Sequence, residues 1–564
     1  MNLAPSDIFV LCITLILIIG YGIWKSNASK NLQGYFLGDQ SIPWWIVLLS
    51  IMGTQASAVT FISAPGQAYT EGMQFIQYYF GLPLAMIVIC IFFVPVFRKL
   101  KIFTAYEYLE NRFDGKTRLF TAFLFLISRG LSTGISLVAP TIVLHSMLGW
   151  DFNLTTWLMG GLLLIYTITG GAKAVAYTQK LQFLVIYGAM FLAAYYAFKA
   201  LPDHVGVNQA LNISGVFDKM NIVSFGPEEG FWKDRYNIFS GLIAGFFLSL
   251  SYFGTDQSQV GRYLTAKSEN ESKLGLVLNG IFKIPLQFFI LMLGILLFAV
   301  YQFKPAPAFF NEGLIQQGLQ SEYKGELQSA LNDFEDAENK RIAFLHAENL
   351  NQLDKTTYKS LEQTVQHRRE GVKSILSKVQ GTGVGNDTNY IFLHFVGSTL
   401  PSGVVGLIIA IIFLSAWGSI AAALNSLSSC TMVDFHQRFW NKNLSEKKAY
   451  QYSKWYTFFW GVFCIVVAQF LYNLGNSLIE AVNILGSLFY GTILGIFLIG
   501  FLVKYVKAQA VFWGAIITQV AILFIYKADI VSFLWLNVIA VVLIFILAVT
   551  IQYFRNAGKR AVTV

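Results

Sequence analysis

Charge is what this 564-residue chain has least of: Asp, Glu, Lys and Arg make up 13% of it. A soluble domain carries about 25%, so a water-facing globule is excluded. Cysteine is scarce as well. Its four copies (Cys12, Cys90, Cys430, Cys464) fall in apolar segments with no metal-ligand spacing. They read as small buried hydrophobes, without a disulfide framework. The six histidines are scattered, and no HExxH, Walker A or GxSxG pattern occurs. GGAK at 170–173 lies where an apolar run meets a loop and is not a phosphate loop. These absences set aside an enzyme constellation and a nucleotide-driven pump. No cleavable signal peptide is expected. The apolar run Ile8–Trp24 has no positive charge before it and has Lys25 and Lys30 after it. That reads as a retained first span with the N-terminus outside.

What the chain has in quantity is apolar surface: 55% hydrophobic and 16% aromatic, with a mean hydropathy of +0.56. This is an all-α polytopic membrane protein whose first partner is the lipid bilayer. The net charge of +9 needs no nucleic acid to explain it, because Lys and Arg collect in cytoplasmic loops. Apolar runs of span length number about thirteen, beginning near Ile8, Ile42, Tyr78, Leu119, Leu154, Leu181, Ile238, Leu274, Val404, Trp455, Leu478, Val511 and Ile530. Basic loops alternate with short or mixed ones. Arg98/Lys99/Lys101, Lys173/Lys180, Arg262/Lys267, Arg438/Lys442 and Lys504/Lys507 all fall on one side. The expectation is a cell-membrane protein with its N-terminus outside and its C-terminus cytoplasmic.

Three segments follow: 1–303 with spans one to eight, 304–389 as an insert on the outer side, and 390–564 with spans nine to thirteen. The insert is rich in Glu, Asp, Lys, Gln and Asn, and Leu327, Leu331 and Phe334 recur at helical spacing. One or two extramembrane helices, as a hairpin, are expected there. It reads as a solvated lid or spacer, with a partner-binding surface as the other reading.

The organising stretch is Ile42–Tyr69. Trp44 and Trp45 sit at an interface, and then Gly53, Thr54, Gln55, Ser57 and Thr60 place small and polar residues at bilayer depth. A helix that breaks to line a cavity uses such residues; so does a tight helix crossing. Span seven has the same character, with Ser249, Ser251, Tyr252, Gly254, Thr255 and Asp256. Paired broken helices point to a midplane binding site. In span nine, Ser415, Gly418 and Ser419 share one helix face. That face suits a hard monovalent cation, or serines that bond back to their own helix.

Arg129 in span four and Lys283 in span eight lie deep in apolar sequence, where charge costs several kcal/mol unless it faces a cavity or a counter-charge. Asp256 and Glu480 are the available anions, both nearer helix ends. An unmatched Arg129 points to a carboxylate ligand held by its fork; capping carbonyls at a broken helix is the other use.

Six motifs in order resemble the sodium:solute symporter family, which includes sodium/glucose, proline, iodide, monocarboxylate and multivitamin symporters. They are YFLGDQSIPWW, ASAVTFISAPGQAY, TAYEYLENRF, TGGAKAVAYTQKLQ, TDQSQVGRYLTAKS and LNSLSSCTMVDF. Their wording is similar to the iodide, monocarboxylate and vitamin branch. The resemblance covers nearly all of the chain outside 304–389. It implies a LeuT-like inverted repeat of five plus five helices, with one leading and two trailing.

Carried over by motif, it implies a sodium site at the Gly53 and Ala56 carbonyls with Ser415, Gly418 and Ser419. Gly418 departs from the serine of many members, which removes a hydroxyl and puts sodium affinity in question. A second cation site needs an aspartate where Gln179 stands and serines at Ala421 and Ala422, so one cation per solute is expected. The polar sugar contacts fall on Thr60, Tyr79, Ser249 and Val482, the inner-gate tyrosine on Tyr252, and the span-eight lysine on Lys283. With tyrosine and valine at 79 and 482, a hexose loses much of its hydrogen bonding. Together with Arg129, that favours an organic anion, with Gln77 shaping the pocket.

The function implied is sodium-coupled import of a small solute by alternating access. A neutral sugar, inositol or amino acid is the alternative solute. From other classes, a transporter-like sensor and a passive facilitator stay open. The sensor is disfavoured because the sequence closes about ten residues after its last apolar run, without the kinase domain that the family's sensors carry.

Overall fold

The architecture is seen in a computed structural model that describes residues 3–25, 30–380, 386–441, 443–471 and 477–562. Eight helices among these are long and apolar enough to cross a membrane, and a ninth span is a bent pair. Three shorter apolar helices, Pro5–Ile18, Phe152–Ile168 and Ser240–Thr255, stand beside them.

The bent pair is α1 (Trp44–Gln55) and α2 (Ala58–Glu71), set at 59° to each other. Then come α3 (Met73–Leu100) and α4 (Gly115–Leu148). Next is α5 (Phe152–Lys199), which carries two expected spans as one helix interrupted at Gly171, where φ is 60°. The second span therefore starts at Gly171, ahead of the expected Leu181: a left-handed glycine redirects the chain there, with no loop.

A second broken helix opens the next set: α6 (Gly245–Thr255) and α7 (Gln257–Leu264), separated by Asp256 at φ −75°, ψ 116°. It is followed by α8 (Glu269–Phe303). After the insert come α9 (Thr388–Thr399), α10 (Val404–Cys430), α11 (Glu446–Phe470), α12 (Leu478–Leu502), α13 (Ala508–Lys527) and α14 (Trp535–Val562). α10 is the buried centre: every residue from Ile408 to Cys430 is buried.

Several of the motifs are clasps around the broken helices. In TAYEYLENRF, the Tyr106 hydroxyl donates to the Thr255 carbonyl at 2.9 Å, and the Ala105 N–H donates to Gln257 Oε1 at 2.9 Å. A carbonyl freed by the break is thus satisfied without helix continuation. Ile42 N–H donates to the Thr265 carbonyl and the Ile42 carbonyl accepts from Lys267 N–H, which ties the start of α1 to the end of α7. The entry of α3 is held by close backbone approach: a Cβ at Gly241 would lie 2.1 Å from the Gln77 carbonyl oxygen.

The insert forms three helices, one more than expected: Glu312–Leu319, Lys324–Ala347 and Lys355–Gln380. The two long ones pair as a hairpin over a core of Leu314, Leu327, Phe334, Val365, Val372 and Leu376. It is fastened to the membrane helices by Tyr358, whose hydroxyl donates to Gln302 at 2.8 Å, and by Arg341, which donates to the Tyr301 carbonyl at 2.8 Å.

Candidate functional site

A cavity of about 140 Å³ lies where the two broken helices meet α4, α10 and α12. One water needs roughly 10–15 Å³, so the space holds a small organic solute. Thr60, Tyr79, Arg129, Ser249, Lys283, Val482 and Tyr252 all line it, as does Ser419.

At the α1–α2 break the helix ladder stops. Ala56 N–H still reaches the Met52 carbonyl at 2.8 Å, and the Thr60 hydroxyl takes the Gln55 carbonyl at 3.1 Å. Among the described residues, no backbone N–H crosses the break to the Gly53 or Ala56 carbonyl oxygens. Such freed carbonyls are hard oxygen donors. Across from them, α10 offers Ser415 and Ser419. Ser419 Oγ donates to the Ser415 and Ala416 carbonyls at 3.0 Å, and Ser415 Oγ donates to the Ile412 carbonyl at 2.8 Å. This is back-bonding within the helix, and it leaves each hydroxyl's lone pairs for a cation. Ser419 reaches the cavity and Ser415 does not line it. Gln179 of α5 joins the two sides: its Nε2 donates to Thr54 Oγ1 at 2.9 Å and to the Gly418 carbonyl at 3.1 Å, while its Oε1 accepts from Ser50 at 2.6 Å. The donors here are carbonyl, hydroxyl and carboxamide groups. That set fits a hard monovalent ion and lacks the carboxylates a divalent ion prefers. No group of three or more His, Cys, Asp or Glu that could hold a metal occurs among the described residues.

Arg129 is not unmatched, as its sequence position had implied. Asp256, at the α6–α7 break, puts Oδ2 3.7 Å from Arg129 Nη1. The helix end that made Asp256 look remote is itself buried beside Arg129, because α6 stops there. Arg129 also lies 5.9 Å from the Tyr252 ring centre, and its Nε is buried with no hydrogen-bond partner. Lys283 is buried, with its Nζ 5.2 Å from the centre of the Tyr79 ring, a cation–π distance. Tyr252 is held by Gln259 Nε2 at 2.6 Å, which keeps the expected gate residue tied to α7.

Gln77 does not reach the cavity. Its amide donates to the Tyr236 carbonyl at 2.8 Å and its Oε1 accepts from the Ser224 N–H at 3.1 Å. It pins the loop after α5 to α3 and does not shape the pocket. Val482 presents an apolar surface, and the neighbouring Asn483 supplies the polar group, with Oδ1 accepting from Tyr78 at 3.1 Å and a buried, unpartnered Nδ2. Tyr78, Thr133, Ser136, Asn483 and Tyr490 also line the cavity and were missed. Position 483, one residue from 482 on the same helix, was within reach of sequence reasoning. Tyr490 carried no signal.

The family model for the sodium:solute symporter family matches residues 35–315 and 370–518. The chain belongs to that family. Membership makes it a sodium-coupled solute transporter of a multi-pass membrane fold, with sodium as the coupling ion. The chain is 27% identical over 510 residues to the sodium/sialic acid symporter SiaT of Proteus mirabilis, covering 89% of this chain and 86% of that protein. It is 26% identical over 546 residues to the sodium/sialic acid symporter NanT of Aliivibrio fischeri, covering 96% and 91%. A solved structure of a Na+-coupled sialic acid symporter, substrate-bound and outward-open, superposes with a TM-score of 0.75 at 25% identity, covering 98% of both chains. The symporter therefore has the LeuT-like all-helical fold of that protein.

Proposed function

We propose that this symporter imports a small organic anion carrying a carboxylate, together with one sodium ion. The observation that carries the reading is the cavity lining: two cationic side chains, Arg129 and Lys283, and no carboxylate. The relatives named above act on sialic acid, which is itself an organic anion. Arg129 would hold the carboxylate with its fork. Thr60, Ser249, Tyr79 and Asn483 would shape and hydrogen-bond the rest of the solute, against the apolar face of Val482.

Sodium would bind first, at the Gly53 and Ala56 carbonyls with the Ser419 hydroxyl and the Ser415 and Gly418 turn of α10. That ligation draws α1 and α10 together and favours the state with the solute site assembled. The sodium gradient then drives accumulation, because sodium and solute each bind the same state more tightly. Exit would follow movement of Tyr252 and α7. Gln179, already bonded on both its polar atoms, supports one cation per solute. The basic loops support a cell-membrane orientation with the insert and the N-terminus outside.

The test is uptake into proteoliposomes of labelled acids, sugars and amino acids, with an inward sodium gradient and with potassium in its place. Sodium-driven uptake of an acid, lost in Arg129→Ala, is the expected result. Sodium-driven uptake of neutral solutes alone, indifferent to Arg129, would overturn the anion reading. The Asp256 pairing, which balances the Arg129 charge internally, is the observation that favours that neutral alternative.

A further inference from the structure

Asp256 stands behind the cavity, where nothing in the transport reading uses it. Its side chain is fully buried, and its Oδ2 lies 3.7 Å from Arg129 Nη1. That is beyond hydrogen-bond reach. Both carboxylate oxygens are committed elsewhere: Oδ1 accepts from the Ser258 N–H at 2.8 Å, capping α7, and Oδ2 accepts from the Tyr490 hydroxyl at 2.8 Å. Asp256 therefore lends Arg129 a counter-charge without occupying its donors. The guanidinium keeps donors to offer a solute, and its Nε has no acceptor at all. Lys283 has no acidic partner within ion-pair distance among the described residues, and it faces the same space. The charges around the solute are thus two positive and one negative.

Resting on the reading that Arg129 and Lys283 receive the solute's anionic group, we propose that Asp256 is a specificity-determining residue that sets the charge of the solute. By cancelling one of the two cations it leaves one net positive charge, which matches a single carboxylate. A dianion would bring its second charge into a buried site next to Asp256, with no further cationic side chain in the lining to meet it. The penalty is large because Asp256 and Arg129 are buried, where charges are weakly screened. The role does not follow from capping. Asn and Ser cap a helix as well as Asp, so the cap does not require a charge at this break. Sodium is bound in the wild type and in an Asp256 variant alike, so it cancels from the change in preference that removing the Asp256 charge produces.

The experiment uses the full chain in proteoliposomes under an inward sodium gradient. The probes are labelled sialic acid and two matched pairs: butyrate with succinate, and gluconate with glucarate. The wild type is expected to take up the monoacid of each pair in preference to the diacid. Asp256→Asn keeps the cap through its one oxygen, turns the other position into an amide N–H that can donate to the Tyr490 hydroxyl oxygen, and removes the charge; it should move the monoacid-to-diacid uptake ratio about tenfold toward the diacid. Asp256→Ser, also a good cap, should move the ratio the same way if the Asn variant is poorly folded, and Asp256→Glu should retain the wild-type preference. An unchanged ratio in both neutral variants, with both acids weakened equally, overturns the inference and leaves Asp256 a structural cap while anion symport stands. If the wild type takes up no acid at all but moves a neutral solute with sodium, the anion reading falls and this inference falls with it.

Discussion

Gln179 of α5 donates from one Nε2 to the Gly418 carbonyl at 3.1 Å and to Thr54 Oγ1 at 2.9 Å, bridging the broken helix and α10. The bridge works because position 418 has no side chain. A Cβ there would lie 2.4 Å from Gln182 Oε1 and 3.3 Å from Gln179 Cγ. Two glutamines one helical turn apart fill the space that a hydroxyl would use.

Restoring the hydroxyl therefore needs two changes. Gly418→Ser alone should leave the sodium concentration for half-maximal uptake unimproved, because its Cβ must first displace Gln182. Gly418→Ser with Gln182→Ala should lower that concentration by up to about tenfold, the worth of one added oxygen donor. Sodium titrations of uptake for the two single variants and the double variant form a mutant cycle. A full gain from Gly418→Ser alone would show that Gln182 is no obstacle.

Gln77→Ala separates a structural residue from a pocket residue. Both of its partners, the Tyr236 carbonyl and the Ser224 N–H, would lose their bonds. Leaving such groups unpaired costs about 1–3 kcal/mol. The thermal midpoint of the purified protein in detergent should fall, while KM for the transported solute stays within about twofold. A large rise in KM with an unchanged midpoint would return Gln77 to the pocket.

Composition exposed the broken helices. Gly53 to Ser57 and Gly254 to Asp256 put small and polar residues where lipid-facing helix would be apolar, and both stretches do break. The period of Leu327, Leu331 and Phe334 likewise marked the insert's long helix. What stayed hidden was pairing across the chain. Arg129 and Asp256 belong to different helices, and no local pattern says that one ends beside the other. The same holds for Gln77, whose partners come from a loop far along the chain. Charge at depth announces that a partner or a ligand exists; only the packing of α4 against the break of α6 shows which.

In the insert, Glu338 is buried against Arg341 at 3.2 Å, but Arg341 makes its shorter contact, 2.7 Å, with Glu362. Glu338 thus receives the weaker share of one cation. Burial pushes its carboxyl up to about 7, even though the Ala306 N–H and Arg341 both favour the charged form. A carboxyl whose folded value is raised contributes stability below its unfolded value, near 4.5, and loses it as pH climbs through about 7. The hairpin should therefore be cleaved faster by a protease of broad specificity at pH 8 than at pH 6, after correction for protease activity on an unfolded control. Glu338→Gln should flatten the dependence. Equal pH profiles for the two proteins would place the pH sensitivity elsewhere.

Ser419 decides whether transport is coupled. It is the one hydroxyl of the α10 trio that lines the cavity, and it sits on the turn that Gln179 ties to α1. Ser419→Ala keeps the helix, since the Oγ bonds only to its own preceding turn. It removes one oxygen from a site already short of the hydroxyl at 418. The sodium concentration for half-maximal uptake should rise at least tenfold, and at low sodium the ratio of uptake in sodium to uptake in potassium should fall toward one. The melting point in potassium should stay near that of the wild type, while the stabilisation on adding sodium shrinks, because a ligand stabilises only in proportion to its affinity. If sodium still drives uptake with unchanged affinity, the coupling ion does not rest on Ser419, and the cation site must be sought at the Gln179 bridge.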